Sequence, residues 1–86
     1  MSIAEIKKLL GNQKLIIGNE RVLKNLRNDK IEKIFVSSNC SSEKLDDLKH
    51  YASLNNVKVD ALDIPNDELG VVCKKPFFVS VIGILR

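Results

Sequence analysis

Residues Leu15 to Asp29 read LIIGNERVLKNLRND, and the way this stretch divides decides the fold. Leu15-Ile16-Ile17 is a short apolar run with the character of a buried strand, and it stops at Gly18. Beyond the glycine, Val22, Leu23 and Leu26 fall on one stripe, with Arg21, Lys24, Asn25 and Asn28 over much of the remaining surface. That spacing predicts an amphipathic helix from Asn19 to about Asn28. The unit is therefore a strand, a one-glycine turn and a helix.

Working outward, the same pattern recurs. Ile3, Ile6 and Leu10 keep helical spacing before Gly11-Asn12, so a helix is expected over Ser2 to Leu10. The run IEKIFVSS, Ile31 to Ser38, is rich in strand formers. Ser41 or Ser42 can cap a helix that carries Leu45, Leu48 and Ala52 on one face and runs to about Leu54. VKVDAL, Val57 to Leu62, alternates like a strand, and Pro65-Asn66-Asp67 leads into a short helix over Glu68 to Val72. FFVSVIGIL, Phe77 to Leu85, is nearly continuous apolar sequence, as expected of a strand covered on both faces. Alternating helices and strands predict an α/β protein with helices on both sides of a four-stranded sheet.

Eighty-six residues, 44% of them hydrophobic, suffice for one modest core, so residues 1–86 are expected to form a single domain. Fourteen Lys and Arg against eleven Asp and Glu give a net charge of +3, which permits a polyanionic partner without requiring one. MSIAEIKKLL lacks the apolar core of a signal peptide, and no segment has the length of a membrane span, so a cytoplasmic protein without a membrane partner is expected. Cys40, Cys73 and the one histidine make a poor metal set, and reduced, buried thiols are the expected state.

The turn at Gly18 has chemical consequences. The first amides of a helix have no intrahelical acceptor, and the positive end of the helix dipole lies behind them. Around that end stand Asn19 with donor and acceptor atoms, Glu20 with a carboxylate, and Arg21 and Lys24 with cationic donors. Nucleic acid uses all of these, since base edges need donors and acceptors while phosphates need cations. The plainer alternative is that Gly18 ends the strand, Asn19 caps the helix and the charges are solvated. A dinucleotide site is disfavoured, because one glycine does not make the GxGxxG geometry.

Two further segments bear on the choice: SSNCSSEKL after the second strand and ELGVVCKKPFFVSV before the last. Together with GNERVLK, the tandem of Asn39-Cys40, HYASLNNVKV, Glu68-Leu69-Gly70 and Cys73-x-Lys75-Pro76-Phe77-x-Val79 resembles the kink-turn RNA-binding ribosomal protein family, and within it most the L-thirty-e type. The resemblance covers nearly the whole chain. It implies a three-layer α/β/α sandwich with a mixed four-stranded sheet, and a non-enzymatic, cofactor-free protein, monomeric when free. The implied partner is a kink-turn with tandem sheared G·A pairs, in the rRNA of the large ribosomal subunit. The RNA-binding residues carried over are Gly18, Asn19, Glu20, Arg21 and Lys24 at the helix start, Asn39, and Lys74, Lys75, Pro76 and Phe77 before the last strand. Asn19-Glu20 stands one residue earlier after the glycine than in the L-seven-A-e pattern, so either the turn absorbs the shift or Glu20 and Arg21 take altered roles. Lys74 stands where the L-thirty-e type usually has glycine.

Alternatives on the same fold are a guide-RNA or ribonuclease P particle protein of the L-seven-A-e type, and a protein-interaction adaptor. A thiol catalyst pairing His50 with Cys40 lacks an orienting third group. Adjacent residues of a strand face opposite ways, so one of Phe77 and Phe78 can lie in the core while the other is exposed. The family resemblance implies that Phe77 is the one offered to RNA and Phe78 the core residue.

Overall fold

The computed structural model describes residues 2–86, whose elements in chain order are α1 (Ser2–Leu9), β1 (Leu15–Ile17), α2 (Asn19–Arg27), β2 (Ile31–Val36), α3 (Ser42–Leu54), β3 (Lys58–Ala61), α4 (Asn66–Val72) and β4 (Val81–Leu85). The strands form one mixed sheet in the order β1-β4-β2-β3, with β2 and β3 parallel and β4 antiparallel to both β1 and β2.

Alternation along the central strands sends apolar side chains to both faces. On one face Ile34, Val36 and Val81 join Val22 and Leu26 of α2 and Leu48 and Ala52 of α3. On the other, Phe35, Ile82 and Ile84 join Ile6 of α1 and Leu69 and Cys73 around α4. The result is the three-layer sandwich. Gly83 lets α2 lie close against β4, because a Cβ there would come within 3.1 Å of both Val22 Cγ2 and Ile31 Cδ1.

Helices α2, α3 and α4 are each followed by a non-glycine residue in the left-handed region: Asp29 (φ 56°), Asn56 (φ 56°) and Lys74 (φ 58°). After α4, Lys74 N–H donates to Val71 O and Lys75 N–H to Gly70 O, both at 3.0 Å. This pair of bonds closes the last turn in a Schellman motif. Asp29 and Lys30 close α2 in the same way, on Leu26 O (3.1 Å) and Asn25 O (2.9 Å).

Several expected boundaries move. The first helix ends at Leu9 rather than Leu10, and the fourth begins at Asn66 rather than Glu68. The second strand stops at Val36 rather than Ser38, where Ser38 N–H turns to Ile64 O at 2.8 Å. β3 is trimmed to Lys58–Ala61. The largest correction concerns the last strand, which starts at Val81 and not at Phe77. The closed end of α4 sends the chain into an irregular passage anchored by Val79, whose N–H donates to Asn66 O at 3.1 Å and whose side chain is buried. The strand alternation rule therefore does not apply at Phe77-Phe78. Phe78, expected in the core, is 71% exposed. Cys73 is buried as expected, Cys40 only half-buried, and neither forms a disulfide.

Candidate nucleic-acid interface

The strand directions bring the end of β1, the start of β4 and the ends of β2 and β3 to one end of the sheet. There the connecting segments are hydrogen-bonded to one another. Gly18 N–H donates to Val81 O and Ser37 N–H to Ser80 O, each at 2.9 Å. Asn66 N–H donates to Asn39 Oδ1 at 2.9 Å, and Asn39 Nδ2 donates to Asn66 Oδ1 at 3.1 Å. The Gly18 turn, Asn39 and the passage leading to Val81 are thus held together, although they are far apart in sequence.

Gly18 has φ 112° and ψ 141°, a conformation that side-chain-bearing residues rarely adopt, and it is the N-cap of α2. Asn19 is consequently the first helical residue and not the cap. Val22 N–H makes the first return bond, to Gly18 O at 3.0 Å, and no side chain caps the amides before it. Asn19 Oδ1 is buried without a partner, as is Ser37 Oγ on the neighbouring strand end. Glu20, Arg21 and Lys24 are exposed and lie within one turn of each other on α2. None of them, nor Lys74 or Lys75, belongs to an ion pair among the described residues.

Lys74, Lys75, Pro76 and Phe77 are all exposed, Phe77 by 55%. Their backbone rests on α4 at Gly70, where a Cβ would collide with the Phe77 carbonyl. Lys74 and Lys75 also border a cleft of about 370 Å³, whose other walls are Leu10, Gly11, Asn12, Leu15, Ile17 and Cys73. Gly70 and Asn66 were not singled out individually as site residues in the sequence. The Pro65-Asn66 turn marks the helix start, but the pairing of Asn66 with Asn39 depends on the fold.

The thiol chemistry points away from nucleophilic catalysis. Burial pushes the Cys40 thiol above its ordinary pKa against the opposing effect of Lys44, and burial does the same to Cys73 against Lys75. Protonated thiols are poor nucleophiles at neutral pH. His50 is exposed, with its ring edge-on to Tyr51 at 5.2 Å. Among the described residues no three His, Cys, Asp or Glu side chains gather where a metal ion could be held, and no helix is long and apolar enough to cross a membrane.

Residues 3–86 match the model of the "Ribosomal protein L7Ae/L30e/S12e/Gadd45 family". The chain belongs to this family. Among its relatives are the large ribosomal subunit proteins eL30 of Archaeoglobus fulgidus, 37% identical over 92% of this chain and 87% of that protein, and of Saccharolobus solfataricus, 35% identical over 94% and 75%. These relatives are ribosomal proteins, in keeping with the non-enzymatic reading. Solved structures share the fold. A Bacillus halodurans protein of unknown function superposes with a TM-score of 0.86 at 19% identity, covering 98% of this chain and 83% of that one. The 15.5 kD RNA-binding protein of Giardia lamblia gives 0.84 at 18% identity, covering 99% and 71%.

Proposed function

We propose that residues 1–86 act as a single RNA-binding unit of the large ribosomal subunit, cytoplasmic and monomeric when free, which recognises a kink-turn in rRNA. The observation that carries this reading is the gathering of uncapped α2 amides, unpaired cations and an exposed aromatic loop at one end of the sheet. Double-stranded RNA hides its base edges in a deep, narrow major groove, so a protein reads it best at unpaired or non-canonical loops. In this reading Asn19 and Glu20 meet the G·A edges, Arg21 and Lys24 meet phosphates, and Phe77 stacks on an extruded base beside Lys74, Lys75 and Pro76. Asn39 braces the start of α4 through Asn66 and keeps one amide hydrogen for the RNA. Kinship to the eL30 proteins favours rRNA over a guide RNA or ribonuclease P RNA.

A gel-shift titration tests the proposal directly. A kink-turn RNA is expected to bind far more tightly than a straight duplex of equal length, and replacing its G·A pairs by Watson–Crick pairs should remove most of the difference. Glu20→Ala should lower that preference, whereas Lys24→Ala should weaken every RNA and flatten the salt dependence. Equal binding of the two wild-type RNAs would reject the reading.

A protein contact beside the RNA is a second use suggested by one observation. Val71 and Phe78 are 76% and 71% exposed, and neither is needed for the recognition just described.

A further inference from the structure

The cleft between the α1–β1 turn and the left-handed end of α4 lies outside the contacts just described, though it shares Lys74 and Lys75 with them. Leu10, Leu15, Ile17 and Cys73 give it an apolar lining, Asn12 supplies the one side-chain amide, and the two lysines stand at its border. No acidic residue lines it. At about 370 Å³ it falls at the small end of the roughly 300–1,000 Å³ typical of ligand clefts. Asn12 Oδ1 already accepts from Lys14 N–H at 2.9 Å, which fixes the amide and leaves Nδ2 as a free donor. Of the carbonyls at the end of α4, those of Gly70 and Val71 are engaged by the Lys75 and Lys74 amides.

From this geometry we infer that the cleft binds one unpaired nucleotide adjoining the main RNA contact, its base against the apolar lining and Asn12 Nδ2, its phosphate at Lys74 and Lys75. An apolar floor, a single oriented donor and cations without acids suit a nucleotide better than an acidic peptide, which would leave the floor unfilled. Ile17, the residue before the Gly18 turn, lines the cleft, so a strand leaving that turn reaches it without crossing another element. Exposed Lys14, on the α1–β1 turn that walls the cleft, adds a further cation to it.

The inference rests on the RNA-binding reading, and one titration series separates the two. A blunt kink-turn duplex is compared with the same duplex carrying unpaired nucleotides on one strand, each strand end being tried in turn. The wild type is expected to bind one extended form roughly three- to tenfold more tightly, with a steeper salt dependence. Asn12→Asp keeps the acceptor for Lys14 N–H while replacing the donor by a carboxylate. It should erase this gain and leave the blunt RNA bound as before. Lys14→Gln should reduce the gain in part, and thermal melts on both variants verify that they fold. A 4-thiouridine at the unpaired position should crosslink to residues 10–15 or 73–75. If the wild type keeps its G·A preference but gains nothing from either extension, or if Asn12→Asp retains the full gain, the cleft is not a nucleotide site. If extension helps and Asn12→Asp abolishes the help while G·A pairs make no difference, the cleft assignment stands and the kink-turn reading falls.

Discussion

The two ends of the sheet are built on opposite principles. Where β2 begins and β4 ends, polar groups are tied to one another: Arg86 Nε donates to Ile31 O at 3.1 Å, its guanidinium lies 3.2 Å from Asp29, and Asn55 Nδ2 donates to Leu26 O at 2.7 Å. Arg86 N–H reaches Lys30 O, and Leu85 N–H reaches Lys14 O. At the other end, Asn19 Oδ1 and Ser37 Oγ are buried without partners among the described residues, Glu20, Arg21 and Lys24 belong to no ion pair among them, and two phenylalanines face solvent. A buried polar atom without a partner costs about 1–3 kcal/mol. One end closes the fold, while the other leaves charged and aromatic side chains in solvent and polar atoms without a partner within the chain.

If that division is real, a change to the frame of the open end should disturb both stability and binding. Gly70→Ala drives a methyl into the Phe77 carbonyl, and the passage over α4 has to move. The expected loss is about 1–3 kcal/mol of stability, the usual range for overpacking, together with weaker RNA binding. Denaturant titrations and gel shifts read the two effects. An unchanged midpoint would show that the loop yields freely and is not a rigid platform.

The next changes should separate the ends. Phe77→Ala is expected to leave the melting temperature within about 2–4 °C of wild type, since surface substitutions stay within about 0.5 kcal/mol. It should nonetheless weaken RNA binding by roughly 1–3 kcal/mol, the worth of a base stacked on an aromatic ring. Phe78→Ala should also be neutral for stability, because its ring is exposed. At the closed end, Asn55→Ala removes the side-chain hydrogen bond to Leu26 O, which keeps its bond from Asp29 N–H, and should cost about 1 kcal/mol of stability with RNA binding intact. An Asn55→Ala protein with reduced affinity but normal stability would blur the distinction between the ends.

How much of this could be read in the chain depends on whether the cause is local. The order of helices and strands was legible because each side chain's burial repeats with the period of its own element. Gly18 was legible as a turn for the same reason, and its φ of 112° bears this out. Family resemblance, not periodicity, brought Asn39 and the Lys74–Phe77 segment beside it. The start of β4 was misread because the apolar run from Phe77 to Leu85 has no punctuation: hydrophobicity alone does not distinguish Phe78 in solvent from Val79 in the core. What separates them is Val79 N–H bonding to Asn66 O, a contact across thirteen positions that no local pattern encodes. The Asn39–Asn66 pair was hidden in the same way.

The smallest expected effect isolates backbone strain at the far end of α4, beside the α1–β1 turn. Lys74, Asp29 and Asn56 share the left-handed conformation, but Asp and Asn tolerate it through local side-chain hydrogen bonding, which lysine lacks. Holding a side-chain-bearing residue there costs roughly 1–2 kcal/mol. Glycine relieves that cost, but it gives back about 0.5–1 kcal/mol because the unfolded chain becomes more flexible. The net expectation for Lys74→Gly is a gain of about 0.5–1 kcal/mol in stability, with less for Asn56→Gly, while loss of the ammonium weakens RNA binding and lowers the salt slope by about one. Stability and affinity then move in opposite directions at one residue, as expected if the end of α4 keeps a strained cation for its ligand. Should Lys74→Gly instead lower stability, the lysine side chain contributes to the fold and is not held there for binding.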